Sequence, residues 1–159
     1  MGQADSCPMG GNIMIQAVIM AGGKGTRLAA LTKDEIPKPM VPVAGKPLLL
    51  WQVERLKENG ITDIIMVIGH LGEKIREYFG DGEKFGVAIR YFEETEPLGT
   101  AGSFYYLKDM IHGDRFVMMS GDLFFDIDFQ RMIHFHEEKG AVATLFVHPN
   151  GHPFDSDLL

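Results

Sequence analysis

The stretch "IMIQAVIMAGGKGTR" (residues 13–27) decides the fold class. Its first eight residues form an almost uninterrupted apolar run of strand length, which is typical of a β-strand buried on both faces. Three glycines in four residues follow at once, interrupted only by Lys24. A glycine-rich loop directly after a buried strand predicts an open sheet that binds a ligand at the carboxyl ends of its strands.

The rest of the sequence alternates strand-like and helix-like segments. Further strands are predicted at residues 62–69, 87–94, 115–121 and 141–148, and helices at 48–60, 72–80, 100–110 and 128–140. We expect 62–69 and 115–121 to be buried, and the alternating segment 87–94 to be a half-exposed strand or an edge strand. Asp126 and Asp128 are expected as turn and helix-cap residues. The β-α-β pattern predicts a three-layer αβα architecture with a mostly parallel, Rossmann-like sheet.

Length and charge narrow the function. The 159 residues fit one domain, and the net charge of −7 excludes a broad nucleic-acid surface. Residues 21–47 nevertheless carry five basic and two acidic side chains, which suggests a local anionic ligand, with a solvated basic face as an alternative of equal weight on composition alone. A single cysteine fits the cytoplasm, and no apolar run is long enough to span a membrane. Residues 1–12 are predicted to be a disordered leader to a domain at 13–159.

The glycine-rich loop matches neither of the two common nucleotide motifs. The P-loop needs G-x-x-x-x-G-K-[ST], but Lys24 is followed by Gly25, and the dinucleotide fingerprint fails because Leu28 stands at its third glycine. The physics of anion binding still holds, since glycines let backbone N–H groups converge on a phosphate. Lys24 and Arg27 add positive charge. We therefore predict a phosphate-binding loop, with a plain strand-to-helix turn as the alternative.

Two further residues suit the chemistry of a bound phosphate. Lys38 stands between Pro37 and Pro39, which predicts a stiff, non-helical loop that would direct the lysine side chain towards a phosphate. Asp122 follows a predicted strand and Gly121, where a carboxylate suits Mg²⁺ that also binds phosphate oxygens. The alternative for Lys38 is an ordinary surface lysine in a proline-rich turn.

Three segments together resemble the sugar-1-phosphate nucleotidylyltransferase family. They are "AGGKGTRLAALTKDEIPKPMVPVAGKPLL" (residues 21–49), "EPLGTAG" (96–102) and "SGDLFFDID" (120–128), in the family's order and spacing. The tail "HPNGHPFDSDLL" (148–159) is most similar to guanylyltransferases that act on mannose 1-phosphate or D-glycero-D-manno-heptose 1-phosphate. The resemblance implies a GT-A-like fold and an Mg²⁺-dependent reaction. That reaction joins an NTP and a sugar 1-phosphate to give an NDP-sugar and pyrophosphate.

The resemblance also implies roles for particular residues. Arg27 corresponds to the arginine that holds the triphosphate, Lys38 to the lysine at the α-phosphate, and Asp122 to the metal-binding aspartate. Lys38 lies one residue further from Arg27 than in many members. The residues implied in nucleotide binding are Ala21, Gly22, Gly23, Lys24, Gly25, Thr26, Glu94, Leu98, Gly99 and Thr100. The family's second metal-binding aspartate and its sugar-contacting residues have no counterpart here, so we expect a chain cut short of its full domain.

The choice of base depends on Glu94. In uridylyl and thymidylyl members a glutamine usually reads the base at this position. Guanine presents two adjacent N–H donors, which one carboxylate can accept together, so Glu94 favours GTP over UTP or dTTP. A solvated acidic turn is the alternative. Two other functions stay open: a regulatory or incomplete nucleotide-binding module, and a nucleotidyltransferase with another acceptor, such as phosphocholine. The sugar, and whether the chain forms a homo-oligomer, are left open.

Overall fold

The structure is a computed structural model that describes residues 15–23, 35–96 and 99–147. The chain divides into two compact units, Met1–Asp126 and Ile127–Leu159. The strands of the first unit are β1 (Gln16–Met20), β2 (Pro42–Val43), β3 (Lys46–Pro47), β4 (Asp63–Ile68), β5 (Ala88–Glu93) and β6 (Phe116–Ser120). Its helices are α1 (Leu48–Glu58), α2 (Gly72–Phe79) and α3 (Gly99–Leu107), with 3-10 turns at Lys38–Met40 and Glu83–Phe85.

The central sheet is parallel throughout, in the order β5-β4-β1-β6. In its middle, Ile19 pairs with Met66 on one side and Met119 on the other. The predicted parallel sheet flanked by helices is therefore confirmed, as is the edge position of β5 among the described strands. Strands β4 and β5 lie on one side of β1, whereas β6, which comes later in the chain, lies on the other side. Open parallel sheets commonly bind their ligands where the strand order reverses, which here is at the carboxyl ends of β1 and β6.

Apolar side chains on α1 and α3 are buried in the core of the first unit. Leu49, Val53 and Leu56 recur at helical spacing on α1 and are fully buried. On α3, Leu107 packs in a buried cluster with Val18 and residues of β4. Burying such a side chain is worth about 1.5–3 kcal/mol, so these contacts fix the helices that carry part of the site. None of the described helices combines the length and the apolar character needed to cross a membrane.

The structure differs from the sequence-based prediction in the segment before α1. The chain around Lys38 was predicted to be non-helical, but Lys38–Met40 forms one 3-10 turn, which proline tolerates at its start. The hairpin of β2 and β3 was not predicted. Its two turn residues, Ala44 and Gly45, both have positive φ, the geometry of a type I′ turn. Alanine is uncommon in that conformation, which is why the sequence did not indicate it.

Strand β6 lies at the edge of the described sheet and is more exposed than predicted. Phe116 is 39 % exposed and Met118 is 46 % exposed, whereas Met119 is buried. The continuous apolar run had indicated burial on both faces. Within the described residues, however, only β1 pairs with β6, so its side chains are covered incompletely.

The second unit contains α4 (Phe129–Lys139). The predicted cap is confirmed, because Asp128 Oδ1 accepts a hydrogen bond of 2.9 Å from the backbone N–H of Arg131. Gly140, with φ of 56°, ends the helix in the left-handed conformation. The strand predicted over 141–148 is wrong as far as 147, because those residues form no ladder with any described strand.

Candidate functional site

Three glycines bring strand ends together at the carboxyl edge of the sheet. Gly22, Gly69 and Gly121 follow β1, β4 and β6. A methyl group on Gly69 would lie 2.9 Å from the carbonyl oxygen of Gly22, and one on Gly121 would lie 3.2 Å from the Cβ of Ala21. Backbone hydrogen bonds of 2.8 Å continue past the strands, from Ala21 to Val67 and from Gly121 to Met20. The glycines therefore permit an approach of main chains that larger residues would obstruct.

Asp122 stands at this edge with two polar partners. Its Oδ1 accepts a hydrogen bond of 2.6 Å from the Ser120 hydroxyl, and its Oδ2 pairs with the ammonium of Lys38. Burial raises the pKa of Asp122, but the hydrogen bonds from Lys38 and Ser120 and the lysine charge outweigh it and hold that pKa below its usual value. Asp122 is therefore ionised at neutral pH.

An ionised carboxylate at this position has the donor chemistry that Mg²⁺ requires. Mg²⁺ prefers oxygen ligands and is commonly held by one or two carboxylates, with waters and phosphate oxygens in the remaining positions. The described part of the chain contains no cluster of three or more acidic, histidine or cysteine side chains able to hold a metal by itself. Asp122 thus fits a cation that takes its other ligands from water or a bound anion rather than from a cluster of the described side chains.

Lys38 reaches Asp122 from a rigid turn 84 residues earlier in the chain. Pro37 and Pro39 are buried on either side of it. Two short backbone hydrogen bonds close the turn, from Met40 to Pro37 at 2.7 Å and from Val41 to Lys38 at 3.2 Å. The prolines anchor the turn in the protein, while the lysine side chain remains partly exposed. The segment that carries Lys38 is therefore closed by hydrogen bonds, but it is helical and not the non-helical loop that was predicted.

Glu94 lies beside the start of the glycine-rich loop. Its backbone N–H continues the sheet with a hydrogen bond of 2.8 Å to Ile68, and its Oε1 accepts from the hydroxyl of Ser103 on α3. A methyl group on Gly22 would lie 3.0 Å from the other carboxylate oxygen, Oε2. Ser103 is fully buried, so its hydroxyl holds Oε1 in place. The other oxygen, Oε2, then lies beside the backbone of Gly22.

The structure brings together two pairs of the residues predicted for the site. Lys38 meets Asp122 at the end of β6, and Glu94 meets Gly22 at the end of the adjacent β1. Ala21 is buried, and Gly23 is exposed. Gly99 and Thr100 are the first two residues of α3. Five predicted residues lie outside the described residues, namely Lys24, Gly25, Thr26, Arg27 and Leu98.

Three residues at the site were not predicted: Gln52, Ser103 and Ser120. Each is a polar residue within a segment that was predicted to be a helix or a buried strand. Gln52 lies three residues after Leu49 on the buried face of α1, and a glutamine in that position was the signal that could have drawn attention to it. By contrast, Lys46 belongs to the basic segment but is bound by the protein itself, since it pairs with Glu54 and sits over the Trp51 ring.

The chain belongs to the nucleotidyl transferase family, whose family model matches residues 16–154. Among curated relatives, it is 43 % identical over 129 residues to a D-glycero-alpha-D-manno-heptose 1-phosphate guanylyltransferase from Campylobacter jejuni. It is 38 % identical over 142 residues to a UTP--glucose-1-phosphate uridylyltransferase from Synechocystis. These matches cover 81 % and 82 % of this chain but 57 % and 36 % of the relatives. The chain therefore spans roughly a third to a little over half of the length of these relatives.

A solved structure supports the same family relationship. HddC from Yersinia pseudotuberculosis, complexed with GMP-PN, matches with a TM-score of 0.69 at 32 % sequence identity. The match covers 77 % of this chain and 54 % of that one. The solved structure thus shares the fold, and the two curated relatives are both named for sugar-1-phosphate nucleotidyl transfer, but their names give different nucleotides.

Proposed function

We propose that this chain is the nucleotide-binding part of an enzyme that joins an NTP, preferably GTP, to a sugar 1-phosphate of the mannose or heptose type. The observation that carries the proposal is the meeting of Lys38 and Asp122 at the carboxyl ends of the strands, beside the glycine-rich loop. A cation and a metal-binding carboxylate at that edge are the two charges that nucleotidyl transfer needs. The predicted phosphate loop, residues 22–27, begins at the same edge.

The reaction would depend on positioning and on neutralising charge. An oxygen of the sugar 1-phosphate would attack the α-phosphorus, the bond from that phosphorus to the bridging oxygen would break, and pyrophosphate would leave. Lys38 would stabilise the charge that develops on the α-phosphate. Asp122 would hold Mg²⁺, and Mg²⁺ when bound would neutralise phosphate oxygens. Arg27 would hold the triphosphate through two oxygens at once.

The preference for GTP follows from the environment of Glu94. The Ser103 hydroxyl holds one carboxylate oxygen, and the second faces the backbone of Gly22, beside which a base would lie. A carboxylate in this position accepts the adjacent N1–H and N2–H of guanine, whereas uracil and thymine offer an acceptor where guanine offers its second donor. Two of the three named relatives act on or were complexed with guanine nucleotides, which supports this choice.

Nucleotide binding and turnover are tested separately, because the chain covers only part of its relatives. Binding of GTP, UTP and dTTP with Mg²⁺ is measured by titration calorimetry on the 159-residue chain. We expect GTP to bind at least about tenfold more tightly, and Glu94→Gln to reduce that ratio. Tighter binding of UTP or dTTP by the wild type would overturn the guanine assignment and leave the family assignment intact.

Turnover is measured as pyrophosphate release with a panel of sugar 1-phosphates and with phosphocholine. Asp122→Asn should abolish it, because the amide cannot replace an ionised metal ligand. Asp126→Asn is the matched control, since Asp126 lies in the same loop but pairs with Arg55. Nucleotide binding without any pyrophosphate release, in this chain and in one extended beyond Leu159, would instead favour a regulatory module.

A further inference from the structure

A buried glutamine on α1 holds the main chain on both sides of Asp122. Gln52 is only 3 % exposed. Its amide nitrogen, Nε2, donates one hydrogen bond of 2.9 Å to the carbonyl oxygen of Ser120 and another of 2.6 Å to that of Leu123. These two carbonyls bracket the turn formed by Gly121 and Asp122. One side chain therefore connects α1 to the last residue of β6 and to the first residue after the turn.

The orientation of the Gln52 amide has one solution. Both hydrogens of Nε2 are used, whereas the buried Oε1 has no hydrogen-bond partner in the described residues. Rotating the amide by half a turn would place Oε1 against two carbonyl oxygens, which repel it. A leucine or methionine in this place would bury no unpaired oxygen, but it would leave both carbonyls without these donors. The two donated hydrogen bonds are therefore the specific contribution of glutamine.

These contacts constrain the direction of the Asp122 carboxylate. Gln52 fixes the backbone before and after the turn, while the Ser120 hydroxyl fixes Oδ1 at 2.6 Å. Lys38 binds the other oxygen. A metal ligand bound in this way needs little rearrangement to accept a cation, and the loss of such outer contacts typically weakens metal binding about 10–100-fold.

We propose that Gln52 is a positioning residue, which holds the turn at residues 121–122 so that the Asp122 carboxylate faces the divalent cation bound with the nucleotide. This inference deepens the proposed function and rests on it. Gln52 would not touch the substrate. It acts through the two carbonyls, so its loss should affect the metal more than the nucleotide.

The main variant is Gln52→Met, which keeps a similar volume and removes both donors. Val53→Ala is the matched control, because Val53 is fully buried on the same helix. It loosens the packing of α1 without removing either hydrogen bond. Asp122→Asn reports whether Asp122 binds the metal at all. Each variant is compared with the wild-type 159-residue chain.

Two measurements separate positioning from loss of stability. Amide hydrogen exchange across residues 120–124 reports the turn directly. Mn²⁺ affinity is measured by electron paramagnetic resonance in the presence of saturating GTP or UTP, whichever binds more tightly, and binding of that nucleotide is measured again in EDTA. For Gln52→Met we expect faster exchange at the turn, Mn²⁺ binding weakened about 10–100-fold, and metal-free nucleotide binding unchanged.

The outcomes distinguish the inference from the function on which it rests. If Asp122→Asn weakens Mn²⁺ binding but Gln52→Met does not, the role of Gln52 is refuted and the proposed function stands. Equal weakening by Val53→Ala would also refute it, because general loosening of α1 would then explain the effect. If Asp122→Asn binds Mn²⁺ as tightly as the wild type, Asp122 is not a ligand and both proposals fall.

Discussion

Gly69→Ala tests whether the site needs the close approach of β4 to the glycine-rich loop. The new Cβ would lie 2.9 Å from the carbonyl oxygen of Gly22 and 3.2 Å from its Cα. Ordinary contacts between non-bonded carbon atoms lie at about 3.5–4.0 Å. Both contacted atoms belong to the main chain, so no side-chain rotation can relieve the overlap. The backbone after β1 or β4 must therefore move.

The expected loss of stability follows from two opposing effects. Adding a methyl group to a tightly packed position costs about 1–3 kcal/mol, whereas replacing glycine by alanine returns about 0.4–1 kcal/mol by restricting the unfolded chain. Subtracting the second range from the first leaves a net loss for Gly69→Ala of about 0–2.6 kcal/mol, centred near about 1.3 kcal/mol. For a chain of this size, the central value lowers Tm by roughly 3–5 °C.

Gly23→Ala is the matched control, because a Cβ on Gly23 would meet no atom of the described residues within 4 Å. Its Tm should stay level or rise slightly. Thermal unfolding followed by circular dichroism gives both values, and nucleotide titration then shows whether displacing Gly22 also weakens binding. A Gly69→Ala variant as stable as the wild type would refute the claim that glycine is required at this crossing.

Of three further predictions, two concern polar groups at the site, and the third concerns Tyr91 on β5, whose hydroxyl donates to the carbonyl oxygen of Gly80. Ser103→Ala should narrow the preference for GTP over UTP about two- to tenfold, because Glu94 loses the hydroxyl that orients it, and competitive titration measures the ratio. Lys38→Met should flatten the acid dependence of stability. Because the pKa of Asp122 is lower in the folded protein than in the unfolded chain, the ionised carboxylate stabilises the fold at pH values above its unfolded pKa. This stabilisation is lost as the pH falls through the folded pKa. The urea midpoint should therefore fall less in the variant between about pH 6 and pH 3. Identical slopes would contradict this. Burial raises the pKa of Tyr91 to about 12, so one tyrosine should ionise last in an ultraviolet titration and disappear from it in Tyr91→Phe. The contribution of Tyr91 to the free energy of unfolding should be fully present below about pH 10, and it should be lost as the pH rises through about 12.

The sequence predicted the strands whose environment is uniform. β1 and β4 are covered on both faces, so their continuous apolar runs indicated them directly. The same signal misled at β6 and over 141–147, where apolar residues are exposed. An apolar run shows that a segment would be stabilised by burial, but whether a neighbouring strand covers it depends on long-range pairing.

The site was predictable in its chemistry and not in its contacts. The motifs identified Lys38 and Asp122 as charged groups suited to a phosphate and a metal. Their meeting across 84 residues depends on the sheet order, which no local pattern specifies. Gln52 was missed for a related reason. A glutamine on the buried face of a helix could have drawn attention to Gln52, but its role is defined only once the carbonyls that it binds are known.

The ion pair of Lys38 and Asp122 is compatible with the opposite roles that the two groups would have. Both side chains are nearly one-third exposed, and ion pairs near the surface contribute only about 0–1 kcal/mol. Asp122 could therefore exchange the ammonium for a divalent cation, and Lys38 could exchange the carboxylate for a phosphate, at little cost. Each charge would keep an opposite partner throughout. On this reasoning Lys38→Met should not weaken Mn²⁺ binding without nucleotide, since it removes a competitor for Asp122. A clear loss of Mn²⁺ affinity in that variant would mean that the lysine helps to build the metal site.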